Sequence, residues 1–410
     1  MSRPKPEVAS GSSIKGIGAF VLVVATVWLG WQVIREPMAE RLPPAQALRF
    51  SPGSSTVLSR AAEAELAAKR IDNADYLARE SLTQAPFNVR ALRVAGLVAA
   101  EKNETDTADE ILTLAGNWSL RDDPAQAWLM NHRLSAGDYG SAFAHADTLA
   151  RRRRDLEPDL FRLFSTAATL DPRSLPPLTR LLAADPAWRG RFLNELLTTD
   201  DGLSVSANLA VILADSPSGA FTTSEVSALY GSLLRKGRIP AMAEVRRRLG
   251  QPAPDLALVN GDFAPPAQPV PYEWRLFMGP GMTAEILADD LHPGNTALRI
   301  RYDGFGTRAF VEQFLQLAPG PYSLSGGYRT ELGKLDRRVS WTVVCVESQR
   351  VIVDSRNASP VGTADWQKFE NGFNVPSTGC TAQWIRLVPH AADRRENMVI
   401  WYDKLVIKSQ

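Results

Sequence analysis

Residues 297–303 read Ala-Leu-Arg-Ile-Arg-Tyr-Asp, with Leu298, Ile300 and Tyr302 on one face and Arg299, Arg301 and Asp303 on the other. A side-chain period of two is that of a half-buried strand. The alternation recurs in Val311, Gln313, Leu315 and Leu317, which the turn pair Pro319-Gly320 closes. It returns in Tyr322, Leu324, Gly326 and Tyr328, and again in Val339, Trp341, Val343 and Cys345. Further strands are expected over 366–375, 381–388 and 398–408. Seven or more short alternating strands with turns between them predict an antiparallel sandwich over 255–410.

Upstream of Gln251-Pro252-Ala253-Pro254 the pattern is helical, rich in Ala, Leu, Glu and Arg from about residue 55. Ala74, Ala108 and Ala142 stand 34 residues apart, and Ala78, Leu112 and Ala146 follow them at four. Ser81, Ala115 and Leu149 follow at seven, while Ala62, Gly96 and Met130 precede by twelve. Pro86 closes the first unit. A fixed period of this length marks stacked helical hairpins. The region 55–155 resembles the tetratricopeptide repeat, in which small residues let two helices approach closely. The first unit matches it with Ala62, Ala74, Ser81 and Pro86; Leu120 replaces the proline in the second, and Met130 the small residue in the third. Residues 156–250 continue in helices without a clean period, as an irregular extension of an all-α, tetratricopeptide-like solenoid over 55–250.

The first forty residues carry a different signal. Gly16–Ile34 is 19 residues without a charge, roughly 28 Å of helix, about one bilayer core. Arg3, Lys5 and Lys15 precede it against a lone Glu7, which places the N-terminus in the cytoplasm by the positive-inside rule. A cleaved signal peptide would want a shorter apolar core and a small-x-small site, whereas Gly30-Trp31-Gln32 runs into bulky Val33 and Ile34. The expectation is a cytoplasmic tail over 1–13, a single transmembrane helix over 14–34 and a proline-rich linker over 35–54. The rest of the chain would then lie in the periplasm of a bacterial inner-membrane protein.

The sandwich opens with Asn260-Gly261-Asp262-Phe263, holds the hairpin 316–324, and ends in Ile400-Trp401-Tyr402-Asp403-Lys404-Leu405. These strings resemble carbohydrate-binding-module-like jelly rolls of the galactose-binding-like class. In that class a glutamate after the opening motif often helps hold a structural calcium. Here Ala264 stands in its place, and Asp262 and Asp403 alone do not make a six- to eight-oxygen site. Glycan binding would need exposed aromatic faces flanked by planar hydrogen-bonding groups. Most candidates sit in strands beside apolar neighbours and read as core. The least core-like are Tyr272, Trp274 and Trp384, with Arg386 two residues beyond on the same strand face. Cys345 and Cys380 either bridge in an oxidising compartment or remain inert buried thiols.

Catalytic and cofactor signals are sparse. His132, His145, His292 and His390 show no metal-ligand spacing, and no GxSxG is present. Gly304-Phe305-Gly306-Thr307-Arg308-Ala309 satisfies GxGxxA, but strand-like residues follow where a dinucleotide site needs a helix N-terminus. Lys and Arg total 46 against 45 Asp and Glu, a balance that lacks the positive field nucleic acid requires. Arg151–Arg154, set before Asp155 and Glu157, reads as a solvated cluster at a helix end. No enzyme activity, cofactor or metal is expected. The sequence points to a membrane-anchored periplasmic scaffold whose solenoid binds a partner protein, in envelope or exopolysaccharide assembly by analogy. The alternative is a glycan-binding protein that holds polysaccharide on its sandwich.

Overall fold

The computed structural model describes residues 12–251, 258–306, 308–332, 338–357, 364–390 and 395–410, with side chains from Leu22 onward except Gln32 and Glu36. The expected N-terminal tail and the junction at 252–257 lie largely outside these residues. The chain forms two compact units, Met1–Leu160 and Phe161–Gln410.

In the first unit, α1 (Ser12–Arg41) runs on beyond the apolar stretch through Pro37, and α2 (Pro44–Phe50) follows. Among the described residues no helix is long and apolar enough to cross a membrane. The apolar run of α1 ends at Ile34. Beyond it α1 carries Arg35 and Glu40, then packs Ala39 against Ala47 and Val57. The expected single transmembrane helix over 14–34 is therefore corrected.

Three helical hairpins come next. Their first helices are α3 (Ser55–Ala67), α5 (Val89–Glu101) and α7 (Asp123–Ser135), which start 34 residues apart. Their second helices, α4 (Ile71–Gln84), α6 (Thr105–Trp118) and α8 (Tyr139–Ala150), keep the same spacing at their starts. Ala62, Ala74, Ala78, Ala108 and Ala142 are fully buried. The closest approach is at Gly96, where a Cβ would stand 2.6 Å from Leu112 Cγ. Asn88 and Asp122 cap α5 and α7 by accepting the Ala91 and Ala125 N–H groups. Between the helices of each pair the chain turns through a left-handed residue, Lys69, Asn103 or Gly137, again one repeat apart.

Helix α9 (Glu157–Leu170) leads to α10 (Leu175–Ala183), α11 (Arg189–Leu196), α12 (Asp200–Ile212), α13 (Thr223–Arg235) and α14 (Ile239–Arg248). The sandwich has two five-stranded sheets. One is ordered β1 (Arg275–Leu276), β4 (Val311–Leu315), β9 (Gln383–Pro389), β6 (Val339–Cys345) and β7 (Val351–Asp354). The other is ordered β2 (Met282–Ala288), β3 (Thr296–Tyr302), β10 (Met398–Ser409), β5 (Gly320–Leu332) and β8 (Gln367–Val375). All named strand pairs are antiparallel. Leu298, Ile300 and Tyr302 enter the core with Trp341, Val343 and Tyr402.

Strand β4 departs from simple alternation, since all five of its residues are buried. Its outer face carries Phe314, which packs with Leu203 of α12, Leu229 and Tyr230 of α13 and Met242 of α14. Helices α12–α14 thus pack against the outer face of the first sheet around Phe314 and Trp384.

Candidate functional site

The four residues expected to hold a glycan are not brought together. Trp274 is inside the sandwich, 4% exposed, with its ring against Phe263 and Trp341 and its Nε1 donating to the Asn260 carbonyl at 2.8 Å. Tyr272 is 2% exposed in the seam between helices and sheet. It meets Tyr230 and Phe314 edge-on, each at 5.6 Å, and its hydroxyl donates to Gln316 Oε1 at 2.7 Å. The buried Arg246 guanidinium lies 3.7 Å from the centre of its ring. Burial pushes the Tyr272 phenol up to about 12 and lowers Arg246.

Trp384 is half-buried at the edge of the same seam, 5.3 Å from Phe314, with Arg386 beside it at 5.4 Å. Arg386 Nε donates to Glu312 Oε2 at 3.1 Å. Tyr272 and Trp384 thus share the seam with Phe314 and the helices, while Trp274 lies apart in the sandwich core. Local alternation showed the outward register of Trp384 and Arg386 on β9 but not what lies against it.

Cys345 and Cys380 are joined as a disulfide. Asp403 keeps its two carboxylate oxygens for Asn295 Nδ2 and the Lys404 N–H, at 2.8 and 2.7 Å. Burial raises its pKa despite those bonds. Gly304-Phe305-Gly306 lies in the connection from β3 to β4; Thr307 is outside the described residues. In the arginine cluster, Arg151 pairs with Asp147, Arg152 with Asp123, and Arg153 with both Asp123 and Asp155.

The histidines each make local contacts. His145 Nδ1 lies 2.6 Å from Gln126 Oε1, and burial lowers its pKa. His132 stacks on Trp128, and His292 Nδ1 lies 2.7 Å from Asp289 Oδ2. For Asp289, burial opposes ionisation, but the bonds from His292 and the Leu291 N–H, with Arg329 near, lower its pKa overall. His390 stands between Ser340 Oγ at 2.7 Å and an Arg356 nitrogen at 2.9 Å.

An open groove of about 620 Å³ lies on the first-of-pair helices α3, α5 and α7 of the first unit. Leu66, Leu97 and Trp128 give it an apolar floor. Arg93, 11% exposed, holds one wall by pairing with Glu63 and with Asp122 at 2.9 Å. Lys69 bridges to Glu101 at 2.8 Å across neighbouring hairpins. The 34-residue spacing carries this site, since it stacks the first helices on one face, but no residue in the sequence flagged Trp128. The groove holds its charges in place around an apolar strip and so suits a peptide or helix with an apolar edge.

No protein-family model matches the chain, and no curated protein matches it. Several solved structures are similar. One described as "CBM4 structure and function" is 16% identical, covering 37% of this chain and 99% of that one, with a TM-score of 0.28. TmCBM61 in complex with beta-1,4-galactotriose is 16% identical over 38% of this chain and 98% of its own, at a TM-score of 0.25. Naa15/Naa10 bound to HypK-THB is 15% identical over 50% of this chain and 32% of that chain, at 0.30. Identities and TM-scores this low carry no functional assignment to this chain.

Proposed function

We propose that this protein is an interaction scaffold that binds a partner protein in the groove of its tetratricopeptide-like helical unit. The observation that carries this reading is the groove over α3, α5 and α7, with Leu66, Leu97 and Trp128 as floor and Arg93 fixed between Glu63 and Asp122. Fixed charges around an apolar strip select a partner's sequence and register, because a mismatched charge there loses its water without gaining a partner. The protein works in an oxidising compartment such as the periplasm, and the Cys345–Cys380 disulfide supports that placement.

The test is a photo-crosslinking side chain placed at Leu97 of the full chain in its native cells. A discrete adduct with one protein, lost when Trp128→Ala is added and the fold is unchanged by circular dichroism, is the expected result. An adduct pattern indifferent to Trp128→Ala, or none, refutes the reading.

A further inference from the structure

Stacked helical hairpins align their equivalent positions in rows, so an offset of 34 residues identifies side-by-side neighbours. On the second helices one row holds Glu80, Leu114 and Thr148, and the next holds Gln84, Trp118 and Arg152, running from α4 through α6 to α8 and its end. Leu114 and Trp118 stand four apart on α6 and so share a face. Trp118 is 54% exposed. Phe87, in the connection from α4 to α5, stacks on it at 4.5 Å and 20° while itself 60% exposed. Leu114 and Leu120 are exposed as well. Two large rings stacked on each other and open to water make an apolar patch of the kind that marks an interaction surface.

Charge frames this patch with opposite signs. Glu80 stands on the α4 side, and Arg121 follows Leu120 in the connection from α6 to α7. Neither forms an ion pair among the described residues. The charges around them are already engaged, Arg79 with Asp75, Arg151 with Asp147 and Arg152 with Asp123. Glu110, four residues before Leu114 on the same face of α6, bounds the patch, because two copies meeting there would oppose like charges.

We propose that this patch is the self-association surface of the chain, joining two copies about a two-fold axis that runs alongside α6. Such an axis sets Trp118 against Trp118 of the second copy and turns the α4 side of each copy toward the α8 side of the other. Glu80 of each copy then meets Arg121 of the other. A closed pair needs a surface complementary to itself, and an apolar centre with opposite charges at its two ends meets that condition. A patch framed by one sign would instead repel its copy and select a different protein. The formal net charge of +1 adds no general repulsion between copies. The patch lies on the second helices and the groove on the first, so neither result decides the other.

The test is sedimentation equilibrium of the full chain over a concentration series, with circular dichroism to check the fold of each variant. The wild-type chain should dimerise in the micromolar range. Trp118→Ala should weaken dimerisation by about thirtyfold, the scale of an interface hot spot. Glu80→Arg and Arg121→Glu should each weaken it by about fivefold, since an exposed pair is lost twice by symmetry. Combining the two should restore it, because the pair is then reversed. Trp118 and Arg121 are exposed, so their variants keep the test valid if Glu80→Arg fails to fold. A dimer unmoved by Trp118→Ala, as one held through the exposed apolar side chains of α1 would be, overturns the proposal. So does a combined charge swap that restores nothing, or a chain that stays monomeric while a crosslinker at position 118 captures a different protein.

Discussion

Tyr272→Ala should strip the seam that joins helices α12–α14 to the sandwich. The side chain is 2% exposed and touches Tyr230, Phe314 and Arg246. Truncating a buried aromatic costs about 3–5 kcal/mol in transfer and cavity terms. The loss also leaves Arg246, 4% exposed, over an empty ring position with Nε and one terminal nitrogen already unpaired among the described residues. A desolvated cation–π contact contributes about 2 kcal/mol, part of which the alanine figure already contains, so the expected total is about 4–5 kcal/mol. Tyr272→Phe keeps the ring and removes the hydroxyl with its bond to Gln316 Oε1, and should cost about 1 kcal/mol. Urea unfolding of the full chain, followed by tryptophan fluorescence and by protease susceptibility within 161–410, measures both. A Tyr272→Ala loss under about 1 kcal/mol would refute the seam, because no ring packed on three sides can be removed that cheaply. So would equal losses for Phe and Ala.

Replacing Cys345 and Cys380 by alanine opens a loop of 35-residue separation and should cost about 3–4 kcal/mol by loop-closure entropy. A change below about 1 kcal/mol in the same urea series would count against the bond. His390 should titrate below its usual 6.5, because burial and the neighbouring Arg356 both disfavour its charged form. Since Arg356 donates to Nδ1, the ring must be neutral there. The folded state thus binds its proton later than the unfolded chain, so this contribution to stability is present above pH 6.5 and is lost as pH falls through the folded value. A histidine NMR titration giving 6.5 or higher contradicts that account. Gly96→Val should destabilise the first unit by about 1–3 kcal/mol, since its Cβ would strike Leu112. An unchanged melting curve for this variant would mean that α5 and α6 do not approach as closely as they do here.

Much of the architecture was legible in local pattern. The 34-residue spacing of Ala74, Ala108 and Ala142 set the hairpins, because helix pairs that approach closely need small residues at fixed offsets. The period of two through Leu298, Ile300 and Tyr302 set which side of β3 enters the core. The N-terminal apolar run was misread as spanning, because hydropathy alone counts residues without registering where the helix continues and packs. The site was much less legible. Trp384 looked like an outward aromatic, and its register on β9 is outward, but helices α12–α14 pack against it and Tyr272. Trp401 read as core, yet it stands on the outer face of the second sheet with Arg299 and Arg329. A sequence determines which side of a strand or helix is apolar through local spacing. Which of two apolar sides is covered, and by what, depends on contacts between segments tens of residues apart, and no local period carries that information.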